Sequence, residues 1–270
     1  MTEIPKKLPR LYVNIFGAPL LLGAIYFGNT YFMGLFFIIS MFCIYEFNNL
    51  SKKMNYQLIN FLPYSTLVFI LLSNVIQIDI INVLLFLIIS GMISAVLLNL
   101  KEPINSISIS IFSSIWIGLF FYSSIGLRNL SENGLVLTGV MFMSVWICDS
   151  AAYIFGKKFG DKKIAPNISP KKTWVGSMSG LLFTLIFLLS FYYYHWFDYD
   201  FTLTTTLLLG FIFGGVSQFG DLFESKFKRI ANIKDSSHFL QGHGGFLDRF
   251  DSLIITASAT LLLINLLEKF

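Results

Sequence analysis

Charge is the scarcest property of this 270-residue chain, because Asp, Glu, Lys and Arg together make up only 13% of it. A soluble globular domain carries about a quarter charged residues. Hydrophobic residues make up 55% of the chain, and the mean hydropathy is +0.72. The shortage of charge therefore argues against an ordinary soluble domain and predicts an integral membrane protein.

Cysteine is also scarce. The chain has two, Cys43 and Cys148, each inside an apolar run and without the spacing of a metal-binding motif. We expect both thiols to be packed among helices rather than to bind a metal. The pattern G-x-x-x-x-G-K-[ST] is absent as well, which excludes a P-loop nucleotide site.

Long apolar runs, in contrast, recur from end to end, each close to the ~20 residues that a helix needs to cross a bilayer. They predict an all-α polytopic membrane protein with about nine transmembrane helices, although some early pairs could instead be re-entrant hairpins. The first run follows basic residues as in a signal peptide, but it has no small-residue cleavage site, so we expect it to be retained. The predicted spans are Leu11–Phe27, Tyr31–Phe47, Phe61–Gln77, Ile80–Leu98, Ile107–Leu127, Leu135–Phe155, Trp174–Trp196, Leu203–Phe223 and Ser252–Leu267.

The distribution of positive charge predicts the orientation. Cytoplasmic loops of membrane proteins carry an excess of Lys and Arg. With nine spans and a cytoplasmic N-terminus, Arg128 and Lys269 alone among the 19 basic residues fall outside. We therefore predict an N-terminus inside and a C-terminus outside. The polar residues concentrate late in the chain, which predicts supporting helices in residues 1–130 and a catalytic transmembrane region in residues 131–270.

Asp149 stands deep in the sixth predicted span. A charged carboxylate at the centre of a membrane helix costs about 2.5–3.5 kcal/mol on an insertion scale, so such residues are usually functional. Helical spacing places Asp149, Tyr153 and Gly156 on one face, and Gly156 and Gly160 would permit a close approach to the backbone. A hydrogen bond between helices from the protonated acid is the alternative interpretation.

The loop after this span reads KKFGDKKIAPNISPKKTWVG. Ser169 and Pro170 predict a turn, which puts Lys171, Lys172 and Thr173 at the start of the seventh helix. Backbone N–H groups, the helix dipole and ammonium groups together favour an anion site there. Alternatively, these lysines only follow the positive-inside rule or contact anionic lipid headgroups.

Two further polar segments precede the last predicted span. The eighth span is predicted to continue as one polar helical stripe: Asp221, Glu224, Ser225 and Lys228. The segment before the ninth span contains glycines, a histidine, acids and an arginine: Gly242, His243, Gly244, Gly245, Asp248, Arg249 and Asp251. Carboxylates set among bases suit phosphate chemistry with Mg²⁺, although simple capping of the helix is an alternative role for the acids.

A family resemblance rests on these segments. From Ser225 the chain reads S-K-F-K-R, then Lys234-Asp235, then H-G-G-F-L-D-R-F-D ending at Asp251. This pattern resembles the signature of phosphatidate cytidylyltransferases, also called CDP-diacylglycerol synthases, and so do the segments GDLFESKFKR, SPKKTW and DSAAYIFGKKFG. The chain departs from that family at Gln241, where proline is usual, and at Ser237, where glycine is commoner.

The resemblance implies an activity and a set of partners. The expected reaction converts CTP and phosphatidic acid to CDP-diacylglycerol and pyrophosphate, and it requires Mg²⁺, with two metal ions as one option. The resemblance also implies a homodimer in the bacterial inner membrane, with a polar cavity that opens to the cytoplasm. Membrane lipid is an expected partner and nucleic acid is not.

The resemblance and the residue chemistry together assign roles. The predicted metal ligands are Asp221, Asp248, Asp251 and Asp149. The predicted catalytic residues are Asp221, Asp248, Asp251, His243, Lys228 and Arg249, with His243 orienting a phosphate or donating a proton to pyrophosphate. The predicted substrate-binding residues are Tyr153, Ser169, Lys171, Lys172, Thr173, Glu224, Ser225, Arg229, Lys234, Asp235, Gly244 and Gly245.

Other membrane enzymes and transporters share some of these sequence features. A CDP-archaeol synthase or a CTP-dependent polyprenol kinase would act on another lipid from the same side of the membrane. A CDP-alcohol phosphotransferase is excluded, because its motif needs an Asp-Gly pair and the chain has none. A cation-coupled transporter would suit Asp149, but its polar groups would be expected near the midplane rather than in loops.

Overall fold

The computed structural model describes residues 13–73, 80–130, 133–196, 201–237, 239–240 and 244–267. These residues are overwhelmingly helical, which confirms the predicted all-α membrane fold. The helices are α1 Ala18–Phe27, α2 Asn29–Lys53, α3 Phe61–Ser73, α4 Ile80–Leu97, α5 Pro103–Arg128, α6 Gly134–Phe159, α7 Trp174–Tyr193, α8 Leu203–Phe211, α9 Ser217–Ile230 and α10 Leu247–Leu267. Short π-helical segments, Val13–Gly17 and Ile212–Val216, precede α1 and α9.

Six helical segments in the described part of the chain are long and apolar enough to cross a membrane. They are α2, α5, α6, α7, α10 and the joined segment Leu203–Ile230. Three shorter apolar helices, Ile15–Phe27, Phe61–Ser73 and Ile81–Leu97, coincide with the remaining predicted spans. The integral membrane fold is confirmed, whereas the number of nine crossings stays a prediction.

The described residues fall into two compact units. The first takes in described residues of the ranges 1–17, 33–122 and 227–249, and the second those of 18–32, 123–226 and 250–270. The predicted division into a supporting region, residues 1–130, and a catalytic region, residues 131–270, concerns function and stays a prediction.

Aromatic side chains build much of the core of the first unit. The buried ring of Phe47 packs against Phe112, Trp116 and Phe227, with ring centroids 5.6–6.0 Å apart. The pairs with Trp116 and Phe227 are edge-to-face, a geometry that adds to the free energy gained by burying the rings. This cluster packs α2 against α5 and against the end of α9.

Glycine permits a close helix contact in the second unit, between α6 and α7. A Cβ atom at Gly176 would lie 2.6 Å from the carbonyl oxygen of Ala152 and 3.1 Å from the Cα atom of Gly156. A Cβ atom at Gly180 would lie 2.8 Å from the sulfur of Cys148. Small residues at this spacing let two membrane helices approach closely. The expectation of a close approach at Gly156 is therefore confirmed.

A two-stranded sheet is the one structure in the described residues that the all-α prediction lacked. Strand β1, Lys163–Ala165, pairs antiparallel with strand β2, Ser169–Thr173. The predicted turn at Ser169 and Pro170 is wrong, because both residues belong to β2. The turn lies at residues 166–168 instead, where the Ile168 N–H donates to the Ala165 carbonyl.

The two cysteines are placed as predicted. Cys43 and Cys148 are both buried, and neither forms a disulfide. The thiol of Cys148 donates to the Gly214 carbonyl in the π-helical segment before α9, at 3.4 Å. Cys148 therefore serves helix packing within the second unit, in agreement with the expectation from the sequence.

Candidate functional site

Asp248, in the first turn of α10, is the centre of a polar cluster in the first unit. Its Oδ1 atom accepts a hydrogen bond from the Lys228 ammonium at 2.7 Å, in an ion pair whose two side chains are only 9% and 6% exposed. Its Oδ2 atom accepts from the N–H and hydroxyl of Ser236 and from the N–H of Gly245, at 2.7–2.9 Å. We call Glu46, Lys228, Ser236, Ser237, Gly245 and Asp248 the loop cluster.

Hydrogen bonds to both oxygens fix the Asp248 carboxylate in one orientation. A buried ion pair is favourable only where the remaining lone pairs also find partners, and three donors besides Lys228 supply them here. Gly244 has φ of +80°, and a Cβ atom there would lie 2.5 Å from Asp248 Oδ2. The glycine therefore serves both the turn and the approach of the carboxylate.

Glu46 is a member of this cluster that the sequence analysis missed. It lies on α2 and is fully buried. Its carboxylate accepts from the hydroxyls of Ser236 and Ser237 and from the N–H groups of Phe246 and Leu247, at 2.6–3.0 Å. Those two N–H groups belong to the start of α10, where backbone donors lack partners within the helix and the dipole favours negative charge.

The signal for Glu46 is present in the sequence. It is an acid inside the predicted span Tyr31–Phe47, and acids within membrane helices are rare and usually functional. Its partners stand some 190–201 positions away along the chain, so no local pattern indicates them. Ser237, noted only as a departure from the family pattern, is one of those partners.

A second polar cluster lies in the second unit, where the hairpin leads into α7. The Lys172 ammonium is 2.6 Å from Asp221 Oδ2, and the Ser225 hydroxyl donates to Asp221 Oδ1 at 3.2 Å. The Lys172 and Asp221 side chains are 26% and 30% exposed, so this pair remains open to solvent. We call Lys172, Asp221 and Ser225 the hairpin cluster.

Local structure explains how both partners of this ion pair are held. Thr173 caps α7, with its hydroxyl accepting from the Gly176 N–H at 3.1 Å, as expected for a helix that begins at Trp174. A Cβ atom at Gly220 would lie 2.6 Å from the Asp251 carbonyl, so α9 approaches the backbone of α10 next to Asp221. The predicted helix start at Thr173 is confirmed.

The other predicted site residues divide by exposure. Glu224, Ser225, Lys228 and Asp251 are buried, and Asp251 accepts a hydrogen bond from the Ser252 N–H at 2.6 Å. Exposed side chains are those of Asp149, Tyr153, Lys171, Arg229, Lys234, Asp235 and Arg249. The Arg229 guanidinium donates to the Ile233 carbonyl, and the Lys157 ammonium lies 5.7 Å from the centroid of the Tyr153 ring. Gly242 and His243 lie outside the described residues.

The two clusters differ in how well they suit a divalent cation. Within the described residues, no group of three His, Cys, Asp or Glu side chains is placed to hold one. Mg²⁺, however, commonly takes one or two carboxylates and completes its shell with water and substrate phosphates. Asp221 fits that chemistry better, because its side chain is 30% exposed and a cation would have only the Lys172 ammonium and the Ser225 hydroxyl to displace among its described contacts. Asp248 is buried and already accepts four hydrogen bonds, so it would have to exchange partners.

These features define a helical integral membrane protein in which aspartate–lysine pairs gather at helix ends. The chain belongs to the cytidylyltransferase family, whose model matches residues 8–267. It is similar to phosphatidate cytidylyltransferases of three bacteria: 44% identical over 137 residues to that of Rickettsia typhi, 42% over 125 residues to that of Haemophilus influenzae and 40% over 144 residues to that of Bacillus subtilis.

These alignments cover part of each protein. They take in 48%, 45% and 53% of this chain, and 59%, 43% and 52% of the respective relatives. The chain thus spans about half the length of the curated relatives it matches.

Proposed function

We propose that this chain is an enzyme that transfers a cytidylyl group from CTP to phosphatidic acid, giving CDP-diacylglycerol and pyrophosphate. The observation that carries the proposal is the arrangement of Lys228, Ser236 and Gly245 around Asp248, within the segment that resembles the family signature. The names of the relatives and the membrane helices support the same reaction. A lipid substrate calls for an active site at a membrane surface.

The proposed step is a direct displacement. An oxygen of the phosphatidate phosphate attacks the α-phosphorus of CTP, the new P–O–P bond forms, and the bond to the β-phosphate breaks so that pyrophosphate leaves with the electron pair. A phosphate monoester has a second pKa of about 6, so it is largely ionised near neutral pH and needs no strong general base. The protein therefore has to orient two polyanions and neutralise their charge.

The lysines of the two clusters are suited to neutralising phosphate charge. We assign Lys172 and Lys228 to phosphate charge, because each ammonium is already held at a fixed position by an aspartate, at 2.6 and 2.7 Å. Exposed Lys171, Arg229 and Arg249 would add positive potential around them. The proposed role of His243 in orienting a phosphate or protonating pyrophosphate rests on the family resemblance.

Mg²⁺ is part of the proposal. The proposed ligands are Asp221 in the second unit and Asp248 in the first, with Asp251 and Asp149 as further candidates. When bound, the metal would polarise phosphoryl oxygens and neutralise charge on them. That Asp221 and Asp248 serve one substrate stays a prediction.

The distribution of basic residues supports a proposal for the protein's location in the cell. We propose a bacterial inner membrane protein whose polar clusters face the cytoplasm, since the basic residues segregate to one side of the predicted topology. That side is also where an aqueous nucleotide and an anchored lipid could meet. A homodimer is proposed from the family resemblance.

The test is a reconstituted assay with purified protein in lipid vesicles. CTP, dCTP and ATP are each offered with phosphatidate, with and without Mg²⁺, and products are identified by mass spectrometry. We expect a CDP-lipid and pyrophosphate that depend on CTP, on phosphatidate and on Mg²⁺. A phosphorylated alcohol as product would instead indicate a lipid kinase, and solute uptake without CTP consumption would indicate a transporter.

A further inference from the structure

We propose that Glu46 is a positioning residue for the reaction, holding the loop that in turn holds Asp248. The inference rests on the proposed function. No assigned role covers Glu46, which lies on α2, far along the chain from the segment that resembles the family signature. All the contacts that carry the inference lie within the first unit.

The Glu46 carboxylate accepts hydrogen bonds at both of its oxygens. Its Oε1 atom accepts from the Ser237 hydroxyl and the Phe246 N–H, at 2.6 and 3.0 Å. Its Oε2 atom accepts from the Ser236 hydroxyl and the Leu247 N–H, at 3.0 and 2.7 Å. Three of these donors serve Glu46 alone, whereas the Ser236 hydroxyl has a single proton that Glu46 and Asp248 share. Each Glu46 oxygen thus has at least one donor of its own, and a carboxylate can accept at both terminal atoms whereas a carboxamide cannot.

Glu46 and Asp248 share Ser236 as a partner. The Ser236 hydroxyl lies 3.0 Å from Glu46 Oε2 and 2.8 Å from Asp248 Oδ2. Three of the four contacts to Asp248 come from Ser236 and Gly245. Ser236 also contacts Glu46, and Gly245 precedes Phe246, whose N–H donates to Glu46. Glu46 therefore acts on Asp248 through Ser236 and does not itself contact Asp248.

The position of Glu46 also explains the glycine at position 245. A Cβ atom there would collide with both oxygens of Glu46 and with the Ser236 hydroxyl. The space that a side chain would need is filled by the carboxylate, so the loop can close over Glu46 only with glycine at this position. Ser237 adds a donor that a glycine at position 237 would lack.

The test compares Glu46→Gln with Glu102→Gln, a matched control at an exposed acid whose side chain accepts a hydrogen bond from the Asn105 amide. A glutamine at position 46 keeps the shape but turns one acceptor oxygen into a donor, which then faces the Phe246 or the Leu247 N–H. Two readouts are taken on each variant: amide hydrogen exchange at Phe246 and Leu247, and kcat and KM for CTP in the vesicle assay.

We expect amide exchange and kcat to change while KM for CTP stays nearly constant. In Glu46→Gln, exchange at one of the two amides rises at least tenfold, kcat falls about 10- to 100-fold, and KM for CTP changes by less than about threefold. Ser236→Ala is expected to lower kcat too, and its loss should not add to that of Glu46→Gln in the double variant, because both changes act on the position of the same carboxylate, that of Asp248. Glu102→Gln should match the wild type in every readout.

The outcomes separate the two proposals. Unchanged exchange at Phe246 and Leu247, or additive losses in the double variant, would overturn the role of Glu46. A wild-type protein that forms no CDP-lipid would overturn the proposed function, while the exchange readout still decides the contact. Should Glu46→Gln not fold, Ser237→Gly decides instead: faster exchange at Phe246 with a two- to fivefold lower kcat supports the inference, and no change in either overturns it.

Discussion

At the residue scale, the structure separates two adjacent lysines that the sequence presents as equivalent. Lys171 and Lys172 both precede α7, and both suit an anion site by position. Because successive residues of a strand point to opposite faces, only one of them can face α9 from β2. Lys172 pairs with Asp221, while Lys171 is exposed. Their contributions to activity should therefore differ.

We predict that Lys172→Met lowers kcat/KM for CTP about 10- to 100-fold, which corresponds to roughly 1.4–2.7 kcal/mol of transition-state stabilisation. The change removes both a phosphate-binding charge and the cation that holds Asp221. Lys171→Met is the matched control and should stay within about threefold of wild type. The measurement is initial rate against CTP concentration in vesicles. Equal losses in the two variants would mean that the lysines act only through bulk positive charge.

Residue chemistry can be read from the sequence only as far as local spacing reaches. The polar stripe of α9 and the acids at the start of α10 follow from positions three or four apart, and both were predicted. The pairing of Lys172 with Asp221, and of Glu46 with the start of α10, joins segments far apart in the chain. No periodicity encodes such pairs, because they result from how helices pack.

At the element scale, helix existence was predictable and helix ends were less so. Hydrophobic runs locate every long helix, but α10 begins at Leu247, five residues before the predicted Ser252. The predicted membrane span left out Asp248 and Asp251 because they are charged, although both were expected at the head of this helix. Glu46 accepts from the Leu247 N–H, where the helix begins. The hairpin was missed because Pro170 indicated a turn, while β2 accommodates it at the edge of a two-stranded sheet.

The packing of α6 on α7 leads to a prediction at this scale. Gly176→Ala should lower the melting temperature in detergent by about 5 °C, because overpacking costs typically ~1–3 kcal/mol and each kcal/mol shifts the melting temperature by about 2–4 °C. The added Cβ atom would lie 2.6 Å from the Ala152 carbonyl oxygen. The measurement is thermal unfolding of the purified protein.

Gly139 provides the control on the same helix pair. It lies on α6, and a Cβ atom there would meet nothing within 4 Å. Gly139→Ala should leave the melting temperature unchanged or raise it slightly, since alanine favours a helix over glycine by up to about 1 kcal/mol. A similar loss in both variants would contradict the packing argument, since it would not depend on the close approach at Gly176.

At the scale of the whole molecule, composition alone predicted the class of protein. Scarce charge and recurrent apolar runs leave a membrane protein as the reasonable solution, and the helices of the described residues agree. The number of membrane crossings is harder to predict, because it depends on whether each helix is long enough to span the bilayer. Helix α3 has 13 residues, which span only about 20 Å of a ~30 Å hydrocarbon core. Hydropathy cannot distinguish a short crossing from a re-entrant hairpin of α3 and α4.

Cysteine labelling tests the orientation and the crossing separately. In a background with Cys43 and Cys148 replaced by alanine, we introduce Lys158→Cys, Tyr194→Cys and Ser73→Cys, all at exposed positions. A membrane-impermeant maleimide should label Tyr194→Cys in intact spheroplasts and Lys158→Cys only after permeabilisation, because α7 is the single helix between them. Labelling of Lys158→Cys from outside would reverse the proposed topology and remove the loop after α6 from the cytoplasm.

Ser73→Cys decides whether α3 crosses. Helices α3 and α4 form a consecutive pair, so the side on which Lys158 lies is the same whether both cross or neither does. With nine spans, Ser73 lies at the outer face and Ser73→Cys should be labelled in intact spheroplasts. A cysteine at the tip of a re-entrant hairpin would stay unlabelled there, and labelling only after permeabilisation would place it inside. Labelling from outside thus requires two full crossings by α3 and α4, with flanking residues completing the span that 13 helical residues leave short.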